Sequence, residues 1–355
     1  MKLSNLYIAS ALGIGNEETW ENYLRGVAPG MKEIEGDIPG RKIFFGSVLA
    51  ETHEDTRTNG LLKLAYDNLK PQFDALIAKY GAERVGIVLG ASNTGIDEAE
   101  NYVDEWLKTG EKPAALDFSM IELGTPSLYL QKLTGVKGPV YTVSTACSSS
   151  GKSFKSAIRL IENGVIDAAI VGGVDGRCRF AMNGFHALGA LSAGKCRPLA
   201  DDRDGINLGE GVALFTLEGA DKSVRFPDGV TLQGVGESSD AYHATAPDPE
   251  GNGAYAAMVA AGDLRDVDYI NLHGTGTIAN DAMEMKAVSR LQESGGLKST
   301  PAIESTKSLT GHCLGAAGAI EAAICYLRII HGKSVCTLSN SFAFGGSNAS
   351  VLLHA

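Results

Sequence analysis

Val143-Ser144-Thr145-Ala146-Cys147-Ser148-Ser149-Ser150-Gly151 is the stretch on which the reading of this chain turns. An apolar run, Pro139 to Val143, leads into it as a strand would. A helical pattern follows from Ser153 to Asn163, with Phe154, Ala157, Ile158, Leu160 and Ile161 at helical spacing. Cys147 is therefore expected at a strand-to-helix turn, beside small hydroxyl residues suited to capping. Free amides and the positive dipole end at such a turn stabilise a thiolate. A small buried structural thiol fits the same residues equally well, because free cysteine is among the most buried residue types.

The chain around it has 355 residues, enough for two fused halves or one large α/β unit. A hydrophobic fraction of 44% and 44 glycines indicate a globular protein with many tight turns. No apolar run reaches the ~18 residues needed to span a bilayer. Met1-Lys2-Leu3-Ser4 does not open a signal peptide. The six cysteines lie far apart, which points to reduced thiols, so a cytoplasmic protein with no membrane insertion is expected. Seven scattered histidines show no metal-ligand spacing. A net charge of −11 excludes a general nucleic-acid binder and requires any acidic partner to dock on a local basic patch.

Taken in order, Leu6 to Ala9 reads as a strand, and Asn16 as the cap of a helix carrying Trp20, Tyr23 and Leu24. Gly13-Ile14-Gly15 lacks the third glycine of a dinucleotide fingerprint. Lys42 to Leu49 is strand-like, and an amphipathic helix covers Asn59 to Tyr80, interrupted or offset at Pro71. Val85 to Gly90 reads as a buried strand. Asp97 to Lys108 and Ser119 to Leu133 read as helices. Ala168 to Gly173 is a further strand, and strand, helix, strand at this spacing is a parallel crossover unit. A loop rich in Asp, Arg and Gly (Arg197 to Gly211) precedes an alternating, antiparallel-type strand, Val212 to Leu217. Gly229 to Gly236 opens a second series: a helix at Gly253–Gly262, a strand at Tyr269–Leu272, a helix at Asn280–Gln292, a short strand at Ala302-Ile303, a helix at Gly315–Ile330 and a last strand pair. No sequence repeat links the two halves, though both show strand, polar turn, helix.

Three motifs in the second half place polar groups directly after short apolar strands. They are Asn271-Leu272-His273-Gly274-Thr275-Gly276-Thr277, the run Glu304 to His312 containing Lys307, and Asn340 to Asn348 with Phe342 and Phe344. Each histidine alone reads more readily as a satisfied structural residue than as a catalytic one. One cysteine, two histidines on separate strand ends and a lysine five residues before the second together make a nucleophilic thiol site.

This ordered set resembles the β-ketoacyl-acyl-carrier-protein synthases of the elongating type, within the thiolase-like condensing enzymes, over nearly the whole length. The resemblance rests on Thr145–Ser149, Arg197-Pro198 through Asp202–Gly205 to Gly209–Gly211, Thr245–Pro249, His273–Thr277, Lys307 with Gly311-His312, and Asn340–Asn348. It implies an α/β thiolase-like fold of two pseudo-symmetric halves, 1–219 and 220–355, forming a layered αβαβα core. It implies that Cys147 takes an acyl group from a carrier-protein thioester, its pKa lowered by the helix dipole. His273 and His312 would bind the malonyl thioester oxygen as neutral donors.

The same resemblance gives Lys307 a supporting role with Glu321 and Glu284 as ion-pair partners. Thr275 and Thr277 would hold the phosphopantetheine arm, Phe344 would gate the pocket, and the Cys147 and Phe344 amides would form an oxyanion hole. Phe342 would be core, and Asp281 structural. No metal or organic cofactor is implied. The partners implied are an acidic carrier protein, with Arg57, Lys63 and Lys132 as expected contacts, and a second synthase subunit in a homo- or heterodimer. The alternatives are a chain-length-determining subunit of a heterodimeric ketosynthase and a CoA thiolase, whose second catalytic cysteine has no counterpart here. The chain is short for the family before Cys147, and Ala343 stands where a glycine is usual.

Overall fold

Alternating strands and helices over 355 residues build two copies of one five-stranded pattern. The computed structural model describes residues 1–219 and 230–355, so the expected strand start at Gly229 and the half boundary at 219/220 touch residues outside it. The strands are β1 (Lys2–Ser10), β2 (Gly13–Ile14), β3 (Met31–Ile38), β4 (Arg41–Gly46), β5 (Val85–Gly90), β6 (Val140–Val143), β7 (Ala168–Asp175), β8 (Leu208–Gly209), β9 (Gly211–Glu218), β10 (Val230–Ser239), β11 (Tyr269–Asn271), β12 (Ala302–Glu304), β13 (Cys336–Phe342) and β14 (Ser347–His354). The helices are α1 (Asn16–Arg25), α2 (Arg57–Tyr80), α3 (Ile96–Thr109), α4 (Thr125–Thr134), α5 (Ser149–Glu162), α6 (Arg179–Ala187), α7 (Asn252–Ala260), α8 (Ile278–Glu293), α9 (Lys307–Thr310) and α10 (Ala317–Ile330).

The first half pairs in the order β6-β5-β7-β9-β1 and the second in the order β12-β11-β13-β14-β10. In each, the first three strands are parallel and the last two join antiparallel. The halves meet where β1 pairs with β10, Lys2 opposite Thr231 and Leu3 opposite Val230. The strand period of two sorts the side chains into layers. On β5, Val85, Ile87 and Leu89 face an outer cluster with Leu61, Leu69 and Phe73 of α2, while Val88 faces an inner cluster. That inner cluster holds Phe154 and Ala157 of α5, Ala319 to Leu327 of α10, and strand residues of both halves. On the far side, Met258 of α7 and Val288 of α8 cover Ile270, Leu338 and Leu352. Outer helices, sheet, central helices, sheet and outer helices make five layers, αβαβα.

Several local expectations are corrected. Gly15, not Asn16, is the cap of α1, and Asn16 Nδ2 instead donates to Leu6 O at 2.7 Å. The α2 helix runs unbroken through Pro71, because its ten buried residues anchor both flanks. The expected Ser119–Leu133 helix is two pieces, a 3₁₀ turn at Phe118–Ile121 and α4, which starts after Gly124. The α5 helix begins at Ser149, one turn earlier than the apolar pattern shows, because its first turn is built from buried Ser149, Ser150 and Gly151. The strand-like Lys42–Leu49 run is β4, which ends at Gly46 and forms a hairpin with β3, with β8 parallel to β4.

Candidate active site

The candidate catalytic residues gather near the C-terminal ends of strands, where open α/β sheets place their sites. Cys147 follows β6, His273 follows β11, Lys307 follows β12, and Phe344 follows β13. His312 is brought to the same point by the turn between α9 and α10. The Cys147 sulfur and a ring nitrogen of each histidine all lie within 4.8 Å of one another, and all three residues are buried. The imidazole centroids are 5.2 Å apart with planes at 84°. The cluster floors a cavity of about 370 Å³ that also reaches Phe185, Thr275, Thr277, Phe342 and Phe344.

The nucleophile turn is tight. Ala146 sits at φ 52°, a left-handed conformation that costs a non-glycine residue about 1–2 kcal/mol. The hydroxyls around it hold that shape rather than capping α5 in the usual way. Ser149 Oγ donates to Ala146 O at 2.5 Å and accepts from Thr145 N at 2.9 Å, while Ser148, the cap position, makes no side-chain cap bond. Gly90 is needed here, since a Cβ on it would fall 2.2 Å from Ser150 N. The thiol does not have the lowered pKa expected at sequence level. Burial pushes it up to about 11, against the Lys307 cation and the Phe344 and Cys147 amides, which favour the thiolate. Those two amides are the pair expected to form the oxyanion hole.

Both imidazoles are neutral. Burial first, then the Lys307 cation, holds each well below the usual histidine range, and His312 adds to the effect on His273. Their tautomers follow from their neighbours. Leu314 N donates to Nδ1 of His312 at 3.2 Å, and the Lys307 ammonium donates to Nδ1 of His273 at 3.4 Å. Neither donor can accept, so both rings carry their proton on Nε2. Nε2 of His312 is buried without a partner, a donor held ready for something that enters the cavity. The same protonation disfavours a metal among these three residues, since a coordinating Nε2 needs its lone pair.

Lys307 has no exposed side-chain surface and bonds Glu321 Oε1 and the His273 carbonyl. Burial raises Glu321 to about 7, with Lys307 opposing. Glu284 is not a Lys307 ion-pair partner. It accepts from His273 N at 2.9 Å, Gly274 N at 2.8 Å and Asn340 Nδ2 at 3.1 Å, and so fixes the His273 turn. Thr275 and Thr277 share a 2.8 Å hydroxyl contact on the cavity wall. Asp281 is buried, accepts from Leu199 N and Gly276 N and pairs with Arg203. Phe344 is 38% exposed and stacks on Phe185 at 5.5 Å, while Phe342 is buried.

Arg57 is not a free surface cation. It bonds buried Glu210 at 2.7 Å and the Val48 and Ala50 carbonyls. Lys63 pairs with Asp67 one turn along α2, and Lys132 is exposed. The sequence reading missed Phe185, which only the fold brings to Phe344, and Asp175, the buried last residue of β7. A carboxylate closing a wholly apolar strand was the available signal for Asp175.

A five-layered αβαβα fold, with a thiol and two imidazoles converging at its strand ends, is the architecture of the thiolase-like condensing enzymes. Residues 74–223 match the description "Beta-ketoacyl synthase, N-terminal domain", and residues 230–340 match "Beta-ketoacyl synthase, C-terminal domain". Nodulation protein E of Rhizobium sp. (strain N33) is 33% identical over 304 residues, covering 76% of this chain and 75% of that protein. A 3-oxoacyl-[acyl-carrier-protein] synthase 2 of Staphylococcus aureus is 31% identical over 396 residues, covering 95% of this chain and 96% of the relative. That alignment is longer than the chain itself, so the chain carries deletions relative to it. Among solved structures, a chain from the complex of the ketosynthase ApeO with its chain length factor ApeC, from Xenorhabdus doucetiae, superposes with a TM-score of 0.91 at 38% identity. It covers all of this chain and 97% of its own length. The chain belongs to the beta-ketoacyl synthase family, within its elongating branch.

Proposed function

We propose that this protein is a 3-oxoacyl-[acyl-carrier-protein] synthase acting by decarboxylative Claisen condensation in fatty-acid or polyketide-like synthesis. The observation that carries the reading is the pair of imidazoles at the floor of one cavity, each with its Nδ1 taken by a donor and with one ring nitrogen within 4.8 Å of the Cys147 sulfur. In the first step Cys147 displaces the carrier thiol from an acyl thioester, and its proton ends on the departing sulfur. In the second, malonyl-carrier protein loses CO₂, and the enolate oxygen is held by His273 and His312. The enolate carbon attacks the acyl carbonyl, whose oxyanion faces the Cys147 and Phe344 amides. Collapse expels the Cys147 thiolate, which takes a proton from solvent. Lys307 with Glu321, and Glu284 separately, hold the histidine turns. Thr275 and Thr277 line the path of the pantetheine arm, and Phe344 closes it. No metal or organic cofactor enters, since the phosphopantetheine belongs to the substrate carrier.

The partners in this reading are an acyl carrier protein and a second synthase chain. Similarity to a ketosynthase–chain length factor complex supports a second reading, a chain-length-determining subunit of such a pair. Retention of Cys147, both histidines and Lys307 in working geometry favours the active enzyme. A degradative CoA thiolase is disfavoured, because among the described residues the group that gathers at Cys147 holds two histidines and no second cysteine.

The test is acylation of the purified protein by a panel of acyl-carrier proteins, read by intact mass, followed by malonyl-carrier protein. An acyl adduct lost in Cys147→Ala, and decarboxylation abolished in His273→Ala and His312→Ala, are expected. Acylation only in the presence of another synthase subunit would favour the second reading, and full activity in both histidine variants would refute the mechanism.

A further inference from the structure

We propose that Asp175 is a positioning residue that fixes His312 in its Nε2-donating tautomer through the backbone of Leu314 and Gly315. The proposal rests on the reading of His312 as a donor to the malonyl thioester. Asp175 ends β7 in the first half, has no exposed surface, and touches neither the thiol nor an imidazole. Its carboxylate nonetheless collects donors from both halves. Oδ1 accepts from Ser92 N at 2.9 Å and Asn93 N at 2.8 Å, and Oδ2 accepts from Ser92 Oγ at 2.8 Å and Gly315 N at 2.6 Å. Gly315 is itself required at this spot, because a Cβ there would lie 2.7 Å from Oδ2 and 2.8 Å from the Ala91 carbonyl carbon.

One residue earlier, Leu314 is held at φ 50°, a conformation a leucine rarely adopts without being fixed on both sides. In that strained position its N–H points back at Nδ1 of His312. Packing of the Leu314 side chain with Met182, Leu191 and Ile206 fixes one side of the turn. The Gly315–Asp175 bond fixes the other. Without the carboxylate, the Leu314 amide is free to relax away from Nδ1, the ring can protonate there instead, and Nε2 then presents a lone pair where a donor is needed. Burial raises Asp175 to about 6, and the four donors work against that rise, so at neutral pH it is the charged acceptor this turn needs.

The experiment compares wild type with Asp175→Ala, using ¹⁵N imidazole shifts and two separate half-reactions. Acyl transfer to Cys147 relies on the Cys147 and Phe344 amides, so its rate is expected to stay close to wild type. Malonyl decarboxylation is expected to fall about tenfold or more, short of the ~100–1000-fold loss for removing an oxyanion donor outright. The His312 ¹⁵N pattern is expected to lose its Nε2–H signature. If Asp175→Ala does not fold, Ser92→Ala carries the test. It removes one hydroxyl bond to the same carboxylate and the 3.3 Å bond that Ser92 Oγ accepts from Gly315 N, and is expected to give the same split with smaller amplitude.

A folded Asp175→Ala, or Ser92→Ala in its place, that keeps the wild-type His312 tautomer overturns the proposal. So does an equal loss in both half-reactions, which marks a purely structural role. His312→Ala, measured alongside, separates the two ideas: if it decarboxylates normally, the donor role of His312 itself has failed.

Discussion

Cys147 is held as a protonated thiol, because burial outweighs one cation and two amides. A thiol raised to about 11 is neutral at pH 7, and its thiolate fraction grows tenfold per unit of pH until that value is approached. Alkylation of Cys147 by iodoacetamide is therefore expected to accelerate steadily from pH 7 through pH 10. A plateau below pH 8 would show that the α5 dipole dominates after all. Lys307 and Glu321 pose a different question at the same scale. Replacing one member of a buried pair strands the other charge, a cost of about 3–5 kcal/mol, whereas replacing both with apolar residues is much cheaper. Lys307→Met is expected to lower the urea midpoint sharply, and Lys307→Met with Glu321→Leu to recover most of it. Both variants should remain inactive in condensation, since His273 Nδ1 has lost its donor in each. Recovery of activity in the double variant would mean that Lys307 only balances a charge.

Among the elements, the turn after β5 holds the least comfortable residue outside the site. Thr94 is β-branched at φ 50°, 4% exposed, with a hydroxyl that has no partner. Thr94→Gly removes both penalties at the cost of unfolded-state entropy, and a net gain of about 1 kcal/mol is expected. It would be read as a raised urea midpoint with an unchanged slope. A lowered midpoint would show that the Thr94 side chain is held by a contact from outside this chain. The elements also show what sequence can and cannot reveal. Cys147, His273 and Lys307 were readable because each follows a short strand, and β5 and β7 because their runs are apolar, whereas the polar half of β13, Ser339 to Ser341, reads as a turn and is in fact buried strand. The roles of Glu284 and Arg57 were not readable. Their partners are backbone amides and a buried carboxylate reached only through folding, and a charged side chain looks the same in sequence whether it pairs or solvates. The first turn of α5 was hidden for another reason: its buried residues are serines and a glycine, which carry no apolar period.

At the scale of the molecule, the site exists only because two copies of one strand order close on a shared pair of helices. Cys147 precedes α5 and His312 precedes α10, so the separation of those helices sets the distance between thiol and imidazole. The two helices approach closely at Gly318 of α10, where a Cβ would lie 2.9 Å from Gly151 N, 2.9 Å from Ser341 Oγ and 3.2 Å from Ser150 Oγ. Backbone and two buried serines cannot yield easily, because interiors are packed like crystals. Gly318→Ala is expected to cost about 1–3 kcal/mol by overpacking. Because it also pushes the halves apart at the level of the site, both acyl transfer and condensation should fall, although every reacting group is retained. Gly184→Ala is the matched control. Gly184 lies within α6 with no atom near its added Cβ, so that variant is expected to be neutral or to gain about 0.5–1 kcal/mol from helix propensity, with activity unchanged. If Gly318→Ala melts and turns over like the control, the α5–α10 contact does not set the thiol–imidazole geometry. The spacing would then have to come from elsewhere, such as the sheet junction where, among the described residues, Lys2 and Leu3 of β1 pair with Thr231 and Val230 of β10.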